Sequence, residues 1–197
     1  MLIPINKELI EIVHCYVVDK LVANEGIIYS GTIGGCVERT FTRIYGQKRY
    51  QSIEEKAGSI LYSIVHGHSF TDGNKRTGLL TTCLFLYYNG LLLRIPSDCA
   101  KYLECMADAN NPKAPTEPDA VDWVKRNAEH NLFGSLANAF YSLNYRLFGP
   151  VFFVQLTKTI LERNALPYVD RKKLIDQDLL RVRIDKWKKR GTNHNSS

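Results

Sequence analysis

The sequence lacks the marks of an oxidised, metal-held or membrane-spanning chain. Its five cysteines (Cys15, Cys36, Cys83, Cys99 and Cys105) are odd in number, and none stand at Cys-x-x-Cys spacing. A complete disulfide framework and a zinc site of cysteine pairs are therefore excluded, and reduced, mostly buried thiols in a cytoplasmic protein are expected. Met1 to Glu8 hold no basic cluster followed by an apolar run, so no signal peptide is expected. The longest apolar stretch, Leu79 to Leu93, is interrupted by Thr81, Thr82, Asn89 and Gly90. It falls short of the roughly 20 residues that span a bilayer and reads as a core helix with its exit turn, which leaves no membrane partner. No internal repeat or low-complexity tract precedes the polar tail 191–197.

What is present suits an ordinary folded chain. The 197 residues are 45% hydrophobic and 23% charged, enough for one domain with an appendage. The net charge of +6 is lopsided: residues 170–190 hold nine basic side chains against four acidic ones, +5 of the excess. A partner chosen by charge should meet that end.

Helical periodicity covers most of the chain. Leu9, Ile10, Val13, Val17 and Leu21 give a helix over 6–24. Glu25 to Gly35 then carries four glycines among β-formers, and an exposed hairpin or flap is expected there. Ser52 and Glu55 fit a capping box opening a helix that ends near His66–His68. The next helix, from about Asn74 to Asn89, is apolar almost all round and should be the central buried one, with Gly90 at its end. Ser97 is expected to cap a helix reaching about Asn110. Turn-rich residues 111–118 lead to a short amphipathic helix over 118–130 carrying Trp123. Two helices follow, Leu132–Leu147 and Val151–Arg163, divided by Gly149-Pro150. Asp170 is expected to cap a last, basic helix to about Arg190.

One segment carries chemistry: His68-Ser69-Phe70-Thr71-Asp72-Gly73-Asn74-Lys75-Arg76, a loop between two helices. Gly73 allows close approach of the backbone to a phosphate. The N–H groups of Gly73, Asn74 and Lys75 open a helix whose positive end attracts anions. Lys75 and Arg76 add positive charge, and Arg76 can bind bidentately. Asp72 is the one acid within the loop and suits a Mg²⁺ that keeps most of its waters. His68 can accept a proton near neutral pH. Phe70 should anchor the loop in the core.

These residues resemble the signature of the Fic/Doc (Fido) superfamily, His-x-Phe-x-Asp-Gly-Asn-x-Arg, in full. The likeness extends over about residues 5–130. Lys75 stands where typical Fic enzymes have glycine, and Leu79 where they have a second arginine; both departures resemble the Doc (death-on-curing) branch. The resemblance implies an all-α Fido helical fold with a small β-hairpin flap, residues 1–130, plus a C-terminal helical extension, 131–197. It implies a transferase that moves phosphate from ATP or another nucleoside triphosphate, with Mg²⁺, onto a Ser, Thr or Tyr hydroxyl of a target protein. A Fic-type AMP transfer and a non-catalytic binding module are the alternatives. By the same resemblance His68 is the general base, and Asp72 holds Mg²⁺ and orients the hydroxyl. Gly73, Asn74, Lys75 and Arg76 take the phosphates. The flap, with Ile28, Tyr29, Thr32 and Gly34, clamps an extended target segment by strand pairing. No Ser or Thr has Glu four residues later. The family's self-inhibitory helix is therefore absent, which implies a separate antitoxin-like partner for a toxin acting on translation.

Other features have plainer readings. His14 reads as a satisfied side chain in an apolar helix and His66 as a helix-end residue. The basic segment 170–190 also carries Leu174, Ile175, Leu179, Leu180, Ile184 and Trp187, so packing on the domain competes with contact to nucleic acid or a ribosomal surface.

Overall fold

A computed structural model describes residues 2–18, 30–130 and 132–162. The expected helix over 170–190 and its nucleic-acid contact lie outside them. So do the end of the first helix and the flap residues Ile28 and Tyr29.

Within the described residues the chain is all-α. The helices are α1 (Lys7–Val18), α2 (Ser30–Phe41), α3 (Ile53–His66), α4 (Asn74–Tyr88), α5 (Cys99–Ala107), α6 (Glu117–Asn127) and α7 (Leu132–Glu162). Two short antiparallel pairs accompany them: β1 (Arg43–Ile44) with β2 (Gln47–Lys48), and β3 (Leu91–Leu93) with β4 (Ala128–His130).

α4 is the axis of the core. Every residue from Thr77 to Tyr88 is buried, as expected of a helix apolar on all sides. α3 packs along α4 on one side and α6 on another, and α1 and α7 cover the rest of α4. α3 starts where the capping box places it: the Ser52 hydroxyl accepts from the Glu55 N–H, and the Glu55 carboxylate accepts from the Ser52 N–H. Gly58 lets α6 close on α3, since a Cβ there would run into the Val121 backbone. At the far end of α4, Asn89 accepts from Ile3 N–H (2.8 Å) and donates to Ile3 C=O (2.9 Å), which pins the segment before α1 to the core. Gly90 follows with φ 86°, as expected of a residue ending a helix.

Four expectations are corrected. The glycine-rich stretch does not form a hairpin flap from Ser30 onward. Thr32 and Gly34 lie on α2, because Ile33, Cys36 and Thr40 recur on one face and bury against α3. The hairpin comes later, at 43–48, where Tyr45 and Gly46 both take positive φ (49° and 78°), the geometry of a tight two-residue turn. Leu91–Leu93 is a strand rather than an exit turn, and α6 stops at Asn127 so that 128–130 can pair with it. Ser97 does not cap α5; Asp98 holds that place without a side-chain bond. The division of the last helices stands as expected: Gly149, at φ 67° and ψ −168°, breaks α7 beside Pro150.

Candidate active site

The motif loop is strung between the end of α3 and the start of α4. α3 ends as Gly67 N–H closes on Ser63 C=O (3.1 Å), and His68 then swings into the left-handed region at φ 43°. This turns His68 outward. Its Nε2 lies 2.9 Å from the carbonyl of Ala107, at the end of α5. A carbonyl can only accept, so Nε2 donates, and the neutral ring keeps its lone pair on Nδ1. His66 does a parallel job: its Nδ1 is 3.3 Å from Met106 C=O and its ring stacks on Tyr62. The two histidines thus satisfy carbonyls that the end of α5 leaves without helical partners.

Beyond His68 the chain dives into the core. Ser69 and Phe70 are buried, and Phe70 lies face to face with His14 of α1, ring centroids 3.7 Å apart. His14 is itself buried, with Nδ1 3.3 Å from the Thr77 hydroxyl on α4. It is a structural residue, as its apolar helix suggested. Asn74 closes the loop on itself: its Oδ1 accepts from Phe70 N–H (3.0 Å) and its Nδ2 donates to Phe70 C=O (2.7 Å). Its side chain is therefore spent on the loop, and only its backbone N–H is left for an anion.

Gly73 makes the corner into α4 at φ 78°. A Cβ there would lie 2.9 Å from Val18 Cγ1 and 3.1 Å from Val17 Cγ1, so both backbone and space require glycine. α4 opens without a side-chain cap, leaving the N–H groups of its first turn for an anion. The anion nearest at hand is Asp72. Its Oδ1 accepts from Gly73 N–H (2.5 Å) and its Oδ2 from Arg76 Nη2 (3.0 Å), while the side chain stays 79% exposed. Arg76 is mostly covered, and Lys75 is half-buried with no ion-pair partner among the described residues. An incoming phosphate would meet a helix end, an ammonium and a guanidinium, and would compete with Asp72 for Arg76.

No group of three or more His, Cys, Asp or Glu fit to hold a metal occurs among the described residues. The lone exposed carboxylate of Asp72 fits Mg²⁺ in one way, as a single protein ligand alongside water and the oxygens of a bound triphosphate.

Of the flap residues, Thr32 is brought to the loop. A Cβ at Gly67, next to His68, would lie 3.1 Å from Thr32 Cγ2. Gly34 lies on the same helix with open space where a side chain would stand. A cavity of about 550 Å³ lies elsewhere, lined by Tyr102, Lys113, Pro115, Asp119, Asp122, Lys125 and Arg126, none of them in the motif. No side-chain pattern announces the carbonyls of Met106 and Ala107 or the valines that brace Gly73, because backbone acceptors and packing partners leave none.

Comparison with known proteins agrees with this geometry. Residues 22–86 match the model of the Fic/DOC family. The chain is 34% identical to "Toxin Doc" of Mycolicibacterium smegmatis over 68 residues, 34% of this chain and 52% of that protein. It thus spans about half the length of the curated relative it matches. No solved structure gives a significant match. Over the region that carries the motif, the chain is similar to the Fic/Doc superfamily.

Proposed function

We propose that this protein is a Doc-like transferase that moves the terminal phosphate of a nucleoside triphosphate onto a Ser, Thr or Tyr hydroxyl of a target protein, as a toxin of a toxin–antitoxin pair. The observation that carries this reading over nucleotidyl transfer is Leu79. One turn after Arg76, where AMP-transferring relatives present a second arginine, this chain buries a leucine at 2% exposure. One arginine and Lys75 are then the cations left to neutralise the phosphates, and Lys75 replaces the glycine of typical Fic loops.

In this reading His68 takes the proton of the target hydroxyl at Nδ1, with Nε2 held by Ala107 C=O. The hydroxyl oxygen bonds to the terminal phosphorus as the bond to the bridging oxygen breaks, and the nucleoside diphosphate leaves. Arg76 turns from Asp72 to the transferring phosphoryl group, and Lys75 and the first N–H groups of α4 carry the remaining charge. Asp72 would hold Mg²⁺, which neutralises phosphate oxygens when bound. The N-terminal half of α2, with Thr32 beside the loop, would meet the target in place of a strand. In this reading a Fido domain reaches residue 130, and the rest of the chain is an extension that packs on it through α7. Without a Ser/Thr-x-x-x-Glu helix, restraint falls to a separate antitoxin.

The test is label transfer. The protein is mixed with Mg²⁺, a cell lysate and ATP labelled at the γ or the α phosphate, with His68→Ala as control. Transfer of γ label alone, lost in His68→Ala, supports the proposal. Transfer of α label would replace it with nucleotidyl transfer, and transfer of neither would replace it with a binding module.

A further inference from the structure

α7 is apolar on two faces, and the fold uses one. Asn138 donates to Tyr88 C=O (2.8 Å), Tyr141 OH donates to Tyr87 OH (3.2 Å), and the Thr157 and Tyr88 hydroxyls meet at 2.7 Å. Tyr141 and Leu161 are buried on that side. The other face carries Leu136, Phe140, Leu143 and Leu147, between 58% and 66% exposed, with Val151 at 69% beyond the Gly149 break. Arg146 is the one formal charge between residues 132 and 157. A helix apolar all round belongs in an interior, and a contiguous exposed apolar run marks a protein contact. Among the described residues no helix is long and apolar enough to cross a membrane, so a bilayer does not explain the face.

We propose that a second copy of this chain covers it, in a two-fold dimer with α7 antiparallel to its mate. The spacing carries the proposal. Leu136, Phe140, Leu143 and Leu147 follow one another at steps of four, three and four, the period of a helix–helix seam. That series reads the same in both directions and lies wholly before the break. Turning the helix over therefore sets Leu136 against the partner's Leu147 and Phe140 against the partner's Leu143, the reciprocal pairing of an isologous interface. Charge agrees. Of the net +6, +5 lies in residues 170–190, and this helix face brings no like charges together. In the same register the two Arg146 residues stand roughly 13 Å apart along the axis, beyond the screening length of about 8 Å. The exposed side chains contribute on the order of 500 Å² per protomer, about 1,000 Å² in all. That is the lower edge of specific interfaces, and it fits a reversible, micromolar dimer.

Sedimentation equilibrium on the full chain across the micromolar range tests this. The expected result is a monomer–dimer equilibrium that Leu143→Asp weakens by about tenfold or more, with far-UV circular dichroism unchanged because Leu143 is mostly exposed and stands outside the core cluster of the described residues. The register is tested by disulfide capture: a mixture of Leu136→Cys and Leu147→Cys chains should cross-link, while either chain alone should not. A monomer at all concentrations overturns the proposal, as does a dimer indifferent to Leu143→Asp. Cross-linking of Leu136→Cys to itself overturns the antiparallel arrangement. A monomer whose unfolding midpoint falls with Leu143→Asp would assign the face to another part of the same chain.

Discussion

The side chain of Asn74 holds the backbone of Phe70 by both ends, accepting from its N–H and donating to its carbonyl across four residues of loop. Phe70 is 1% exposed, so neither group can turn to water once Asn74 is gone. Asn74→Ala should destabilise the protein by about 1–3 kcal/mol, the cost of stranding buried polar groups. Asn74→Asp keeps the acceptor for the N–H but sets a carboxylate against a carbonyl, and should cost at least as much at neutral pH. Urea unfolding of the three proteins measures both. Label transfer should fall in each variant, because the clamp sets the path of the chain into Gly73.

The fit at Gly73 and at Gly58 gives a second, steric expectation. Gly73→Ala places a methyl group 2.9 Å from Val18 Cγ1 on a residue at φ 78°, and should cost about 1–3 kcal/mol from left-handed strain and overpacking together. Gly58→Ala should cost a similar amount, because the obstacle is the Val121 backbone of α6 rather than a side chain that can rotate. Thermal unfolding measures both costs, and label transfer by the folded fraction separates the two. Gly73→Ala should abolish transfer in the fraction still folded, whereas Gly58→Ala should leave that fraction active.

These sites show which parts of the structure could be read from the residues. The loop was legible because its chemistry sits in one contiguous run, and α3 because a capping box is local. α2 was not. Its three glycines and three hydroxyl residues argue against a helix, and the burial of Ile33, Cys36 and Thr40 on α3 outweighs that propensity. The β3–β4 pair was missed for the same kind of reason. Leu91–Leu93 is a short apolar run with no period of its own, and its mate, Ala-Glu-His, carries no strand signal until the end of α6 delivers it. The anchoring of His68 by Ala107 C=O joins residues 39 apart through a backbone atom, which no pattern of side chains announces.

Thiol chemistry should follow burial. Burial pushes the Cys36 thiol up to about 11 and Cys99 up to about 12, and raises Cys83 further still. Cys15 is also buried, while Cys105 on α5 is partly open. With Ellman's reagent near pH 8, one thiol should react quickly and the others only as the chain unfolds. Cys105→Ser should remove the fast phase. A fast phase of two or more thiols would mean that the core opens locally far more often than its packing implies.

Acid should loosen the junction of α3 with α6 through Glu117. Burial pushes its carboxyl up, but the Tyr50 and Ser59 hydroxyls that donate to it, at 2.6 and 2.8 Å, outweigh this together with the charges of Arg39 and Arg49. The folded protein therefore holds Glu117 below the ordinary 4.5. A depressed carboxyl binds its proton more tightly in the unfolded chain. Its contribution is thus complete above the ordinary value and is lost as pH falls through the lower, folded one. Glu55 is also held low, by the Gln51 N–H first and then Lys125 and the Ser52 N–H, and Asp119 by Thr116, so the informative quantity is a difference between variants. Glu117→Gln keeps an acceptor for Tyr50 and gives up the charge. It should cost about 1 kcal/mol at pH 7, a modest figure because the carboxylate is partly open to solvent. The gap from wild type should close as pH falls below 4.5. Tyr50→Phe should show the same convergence, since the hydroxyl it removes is one of the donors that hold Glu117 low. Urea unfolding free energies at pH 7, 5 and 3.5 for the three proteins measure this. Parallel lines, with the gap constant at every pH, would mean that Glu117 contributes through packing alone.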